Sequence, residues 1–167
     1  LPYYPGNLLY LVLPFWSAFN AHYVLHWLLA FVGFRALARE VGQSALGATM
    51  AALTYAGSGY VLSCLTFYNL IAVSAWLPFV LWGLARAGRR GTLWGGIACG
   101  MMLLSGEPVT AALAVALMAV VAVERHGWRK GLLVALAVGG LGLAIALPQV
   151  VAAARTFGFT YRGAHGL

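Results

Sequence analysis

Charge is what this sequence has least of. Only 8% of its 167 residues are Asp, Glu, Lys or Arg, against about 25% in an ordinary soluble domain. So few charges cannot clothe a chain that is 63% hydrophobic with a mean hydropathy of +0.89. Lipid is therefore the natural solvent for most of its surface. Cysteine is nearly as scarce. Cys64 and Cys99 are too isolated for a disulfide framework or a metal site, and both read as small packing residues. The sequence also lacks G-x-S-x-G, a P-loop, H-E-x-x-H, and a G-x-G-x-x-G that opens a helix after a strand. The net charge of +7 sits in short clusters between apolar runs, without the aromatic and basic interleaving of a nucleic-acid surface. No nucleic-acid partner is expected, and basic loops beside apolar runs point to membrane orientation.

What is present is a series of long apolar runs. A helix needs about 20 apolar residues to cross the ~30 Å hydrocarbon layer, and helices satisfy their backbone groups within the segment. The runs are too continuous for barrel strands, which alternate over about 10 residues. The expected fold class is all-α: a polytopic integral membrane helical bundle forming a single transmembrane domain over 1–167. About six transmembrane helices are expected, over 17–38, 44–65, 70–85, 92–105, 108–123 and 131–154. Residues 7–16, with Pro5 and Pro14 at the edges, read as a short interfacial helix. Pro78 and Pro148 fall within spans and should bend them. Gly57-Ser58-Gly59 and Gly139-Gly140-x-Gly142 suit close helix packing.

The loops alternate in charge. Arg35, Arg39, Arg86, Arg89, Arg90, Arg125, Arg129 and Lys130 fall on one side, and Arg155 and Arg162 on the other. The positive-inside rule makes the first side cytoplasmic, which leaves both ends of the sequence outside. The sequence starts at Leu1 without methionine or a signal segment, and it reads as a piece of a longer protein.

The polar residues gather on the outer side: Tyr3, Tyr4 and Asn7, then His22 and His26, Tyr68 and Asn69, Glu107, and finally Gln149, Arg155 and Arg162. Of the three acids, Glu40 and Glu124 sit among basic residues at cytoplasmic span ends. Glu107 stands alone in Leu104-Ser105-Gly106-Glu107-Pro108. Gly106 suits a helix end and Pro108 a helix start, so Glu107 either caps the next helix, where the dipole favours a carboxylate, or serves a site. From Arg90 to Glu107 a helix covers only about 26 Å. The turn can thus be recessed, where a carboxylate needs a cavity or a cationic partner. His22 and His26 share a helix face. No adjacent carboxylate completes a zinc motif, and hydrogen bonding to a neighbouring helix is the simpler role. Asn69 and Gln149 are packing amides or ligand contacts. Arg155 and Arg162 either anchor the chain at the interface or meet an anionic phosphate.

A series of short motifs runs the length of the sequence. Tyr3-Tyr4-Pro5-x-Asn7-Leu8-Leu9-Tyr10 opens it, followed by Leu25-His26, then Leu37-Ala38-Arg39-x-x-Gly42-x-Ser44. Next come Ala51-Ala52-Leu53-Thr54-Tyr55-Ala56-x-Ser58-Gly59-Tyr60, Asn69 and Ala75-Trp76-Leu77-Pro78. Leu104-x-Gly106-Glu107-Pro108 and Leu147-Pro148-Gln149 close the series. Their order resembles the bacterial YfhO-type membrane proteins, relatives of the GT-C glycosyltransferases. The resemblance implies a GT-C-like fold in the bacterial cytoplasmic (inner) membrane. It also implies an enzyme that moves a sugar from a polyprenyl-phosphate carrier to a cell-envelope acceptor on the outer face. Under it, Glu107 is the candidate catalytic residue, and Tyr4, Asn7, His26, Asn69, Gln149, Arg155 and Arg162 are candidate substrate contacts. The class's usual acid, in the first outer loop, would lie upstream of Leu1. No cofactor is visible in the sequence, and the resemblance leaves room for a divalent metal in the full-length protein. The alternative is a non-enzymatic transporter of lipid-linked intermediates or a membrane scaffold subunit.

Overall fold

Glycine and proline set where the helices stop. The computed structural model describes residues 3–86 and 88–156, and among these the regular elements are all helical. A 3-10 turn, Pro5–Leu8, runs into the single turn α1, Leu9–Val12. The helices that follow are α2 (Phe15–Glu40), α3 (Ala45–Ala56), α4 (Gly59–Cys64), α5 (Tyr68–Ala85), α6 (Arg89–Leu104), α7 (Pro108–His126) and α8 (Trp128–Thr156). Gly106 and Gly127 take φ of +75°, a left-handed conformation that costs glycine least. They allow α6, α7 and α8 to reverse direction within very short turns.

Four of these helices are long and apolar enough to cross a membrane: α2, α5, α7 and α8. Large apolar side chains stand far out of the protein, Leu11 at 79% and Trp16 at 73% exposed. Leu113, Val120, Leu133 and Leu136 are also exposed, along α7 and α8. An apolar surface on this scale suits lipid rather than water, and the protein is membrane-associated.

Three expected segments differ. The run 92–105 forms α6, which at 16 residues is not among the helices long and apolar enough to cross. The run 44–65 is not one helix. Gly57 and Ser58 break it, because the Gly57 and Ser58 amides fold back onto the Leu53 and Tyr55 carbonyls. The Ser58 hydroxyl then accepts from the Val61 amide at 3.2 Å and starts α4 afresh. Apolarity continues through the break, so hydropathy alone does not reveal it. Gly59 has open space where a Cβ would be and is not a packing glycine. The interfacial helix expected over 7–16 is shorter than expected. It ends at Val12, and Phe15 and Trp16 already belong to α2.

α5 lies at the centre, packed on α2, α6 and α7, while α8 covers α6 and α7. Val73, Val80 and Leu84 of α5 meet Ala98, Cys99 and Met102 of α6, Ala114 and Met118 of α7, and Val138 of α8 in one buried cluster. Backbones touch where glycines face each other. A Cβ on Gly83 would fall on Gly95, and one on Gly142 would meet the Cys99 side chain at 2.6 Å. Gly139 and Gly140, by contrast, face open space.

Antiparallel neighbours collect the chain's polar turns at two ends. At the basic end, Trp82 Nε1 donates to Glu40 at 3.2 Å, Arg86 lies 5.2 Å over the Trp82 ring, and His126 Nε2 donates to the Leu84 carbonyl at 2.7 Å. The opposite end holds the N-terminal segment, the α4–α5 and α6–α7 turns, and the last turns of α8.

Candidate functional site

At this opposite end the N-terminal segment is strapped to the bundle by a chain of hydrogen bonds. His26 Nδ1 lies 2.7 Å from the His22 carbonyl. A carbonyl can only accept, so Nδ1 carries the proton and Nε2 is left as an acceptor. The Tyr4 hydroxyl donates to that Nε2. Its oxygen in turn accepts from Trp76 Nε1 at 2.9 Å. Burial pushes the Tyr4 hydroxyl up to about 12, with the Trp76 bond pulling the other way, so it stays protonated at neutral pH.

His22 stands beside this chain, fully buried. Its ring stacks on Tyr68 with centroids 3.6 Å apart and lies tilted against His26 at 3.9 Å. Its Nε2 donates to the Tyr68 carbonyl at 3.2 Å, which leaves Nδ1 as an acceptor with no partner. Gly6 packs against it, since a Cβ there would sit 3.3 Å from Nδ1 and 2.5 Å from the Tyr4 ring. The Tyr68 hydroxyl closes the strap by donating to Asn7 Oδ1 at 3.2 Å. Both histidines therefore bond across to other segments.

Leu104 joins this network to a second polar group. Its side chain packs with Tyr4, Ala72 and Ala146, and its carbonyl accepts from Gln149 Nε2 at 3.0 Å. That bond fixes the Gln149 amide, because the flipped form would set two oxygens against each other. Gln149 Oε1 is thereby buried without a partner. Glu107 is half-buried and caps α7, accepting from the Thr110 amide at 2.6 Å with Oε2. Glu107 and Gln149 line one cleft of about 330 Å³ with Leu103, Gly106, Ala111, Val150 and Ala153. Glu107 thus offers a half-buried carboxylate between apolar walls, while Gln149 Oε1 is closed off from the cleft. Such a lining suits a ligand that donates hydrogen bonds. The Tyr60 hydroxyl, on α4, is within electrostatic reach of Glu107 and accepts from Ser74 at 3.2 Å.

The candidate residues do not all converge. Tyr4, Asn7 and His26 belong to the strap, and Glu107 and Gln149 share the cleft. Arg155 lines a different cleft, with Tyr3, Pro148 and Val151. It lies six residues past Gln149, which turns it well away from Gln149 around α8. Asn69 is half-buried at the start of α5 and lines none of these clefts. Arg162 lies outside the described residues. Sequence reasoning passed over Trp76 and Tyr60 as site residues. Trp76 carried a signal, since an indole N–H inside an apolar run needs an acceptor.

No family model, curated protein or solved structure matches the chain.

Proposed function

We propose that this chain belongs to a membrane glycosyltransferase of GT-C type that takes sugar from a polyprenyl-phosphate carrier on the outer face of the bacterial cytoplasmic membrane. In this reading the chain crosses six times. α3 and α4 together make one crossing, the arginine-rich turns are cytoplasmic and both ends are outside. The observation that carries the reading is the Glu107–Gln149 cleft at the end away from the arginines. Its half-buried carboxylate, set between apolar walls, suits a hydroxyl of a carbohydrate acceptor. The motif order shared with the YfhO-type proteins supplies the donor class.

The chemistry is displacement at the sugar's anomeric carbon. The acceptor oxygen forms the new bond as the bond to the carrier phosphate breaks, the phosphate leaving with the electron pair. Glu107 takes the hydroxyl proton, a role that needs hydrogen-bond reach before any tuning of acidity. Gln149 braces the wall of the cleft through its bond to the Leu104 carbonyl. Arg155, on another cleft, is given no part in the transfer step. A divalent metal finds no group of three His, Cys, Asp or Glu side chains among the described residues, and no step is routed through one.

Glu107→Asn separates the two roles of this residue, since asparagine caps helices about as well as a carboxylate does but cannot take a proton. Sugar transfer by the full-length protein, assayed in membranes with a labelled polyprenyl-phosphate sugar, should fall by roughly 10²-fold or more with insertion unchanged. Wild-type transfer in this variant removes Glu107 from the reaction. It leaves Glu107 as the cap it already forms with the Thr110 amide, whereas no transfer by the wild-type protein favours the second reading, a non-enzymatic carrier or scaffold.

A further inference from the structure

A cleft larger than that of the Glu107 site lies at the other end of the bundle, and that site does not use it. It measures about 650 Å³ and opens between α2–α3 on one side and α7 on the other. α2 and α7 both pack on α5, which floors the gap with Leu81. Phe34, Leu37 and Val121 make its walls. Its polar lining is Gln43, Glu124 and Arg125, at the end where α2 and α7 run into basic turns. Arg39 is held beside the same mouth, its Nη1 donating to the Gln43 carbonyl at 2.8 Å.

We propose that this cleft is a binding site for an anionic glycerophospholipid, with an acyl chain along Phe34, Leu37, Leu81 and Val121 and the headgroup phosphate between Arg39 and Arg125. Charge complementarity selects this occupant. Hydrocarbon walls under a basic rim match a lipid tail under a phosphate, and basic pockets between membrane helices on the cytoplasmic side bind such headgroups. Of the two acids at this end, Glu40 is engaged by Trp82, and Glu124 stands at the mouth, where it opposes the phosphate. A second copy of this chain is a poor occupant, because its own basic end would face this one and each chain carries +7. The proposal does not depend on the transferase reading.

The test is competitive lipid retention. The full chain is purified in mild detergent with equimolar phosphatidylglycerol and phosphatidylcholine, and the lipids that remain bound are counted by native mass spectrometry. Phosphatidylglycerol should dominate. Arg125→Gln should lower its ratio to phosphatidylcholine about fivefold, the weight of one arginine at a lipid surface, and Glu124→Gln should raise it. Arg90→Gln, on the same face but outside the cleft, should leave the ratio nearly unchanged. Ala51→Phe, which fills the cleft from α3, should reduce retention of both lipids. Equal retention of the two lipids by the wild type overturns the proposal. So does an Arg90→Gln effect as large as that of Arg125→Gln, which would mark a diffuse basic surface. Displacement of the lipid by free glycerol phosphate also overturns it, since the tail would then contribute nothing.

Discussion

The Tyr4 hydroxyl donates to His26 Nε2, and it can do so because His26 spends its other ring proton on the carbonyl of His22, one helical turn back. The segment before the first long helix is thereby locked to the middle of the bundle by a single neutral tautomer. Trp76 completes the arrangement by donating to the same Tyr4 oxygen.

Tyr4→Phe removes both bonds and leaves the indole N–H of half-buried Trp76 and the Nε2 of buried His26 without partners. Each orphaned group costs about 1–3 kcal/mol, and some compensation by other partners within the membrane is usual. A net loss of about 2 kcal/mol is expected, read as a lower midpoint of thermal unfolding in detergent. An unchanged midpoint would mean that the strap contributes nothing to stability.

The same hydroxyl gives stability a dependence on alkaline pH. Tyr4 holds its proton to about 12 in the folded chain against an ordinary value of 10.0. Below pH 10 both states are protonated and its full contribution is present. Between pH 10 and 12 the unfolded chain releases the proton first, so stability falls as pH rises. Wild type minus Tyr4→Phe, measured across this window, should shrink steadily; a constant difference would contradict the burial assigned to Tyr4.

Gly83→Ala should disrupt the α5–α6 contact, because its Cβ meets the backbone of Gly95 and Gly91, which cannot move aside as a side chain tip can. Overpacking of this kind costs about 1–3 kcal/mol. Gly139→Ala, facing open space, should be neutral or slightly stabilising through better helix propensity. Resistance to denaturing detergent would separate the two, and equal behaviour would refute the close contact.

The proposed orientation makes an accessibility prediction. Tyr3, half exposed near the strap, and Arg89, exposed at the start of α6, lie at opposite ends. Cysteine at position 3 should react with a membrane-impermeant maleimide on intact cells, and cysteine at position 89 only after permeabilisation. The native Cys64 and Cys99 are buried and should stay silent. Labelling of both introduced cysteines from one compartment would end the orientation argument and the outer placement of Glu107 with it.

The helical class, the apolar runs of α2, α5, α7 and α8 and the alternation of basic turns were legible in the residues themselves, although about six spans were expected and four helices are long and apolar enough to cross. Each is a property of consecutive sequence: run length, charge placement, and the glycine and proline stops. The cap at Glu107 was legible for the same reason, because Gly106, Pro108 and the carboxylate between them act within one turn. The break at Gly57-Ser58 was not read. A serine cap inside an apolar run alters hydrogen bonding without altering hydropathy.

What only the tertiary structure decided is which scarce polar groups meet. Trp76 and Tyr4 are remote in sequence, and no local pattern pairs them. The amide of Gln149 was fixed by a carbonyl on another helix, and the turn of α8 sent Arg155 to a different face. Sequence set the solvent and the helices, because those depend on each segment's own transfer energy. Packing set the sites, because a buried donor or acceptor must take whatever partner the neighbouring helix brings.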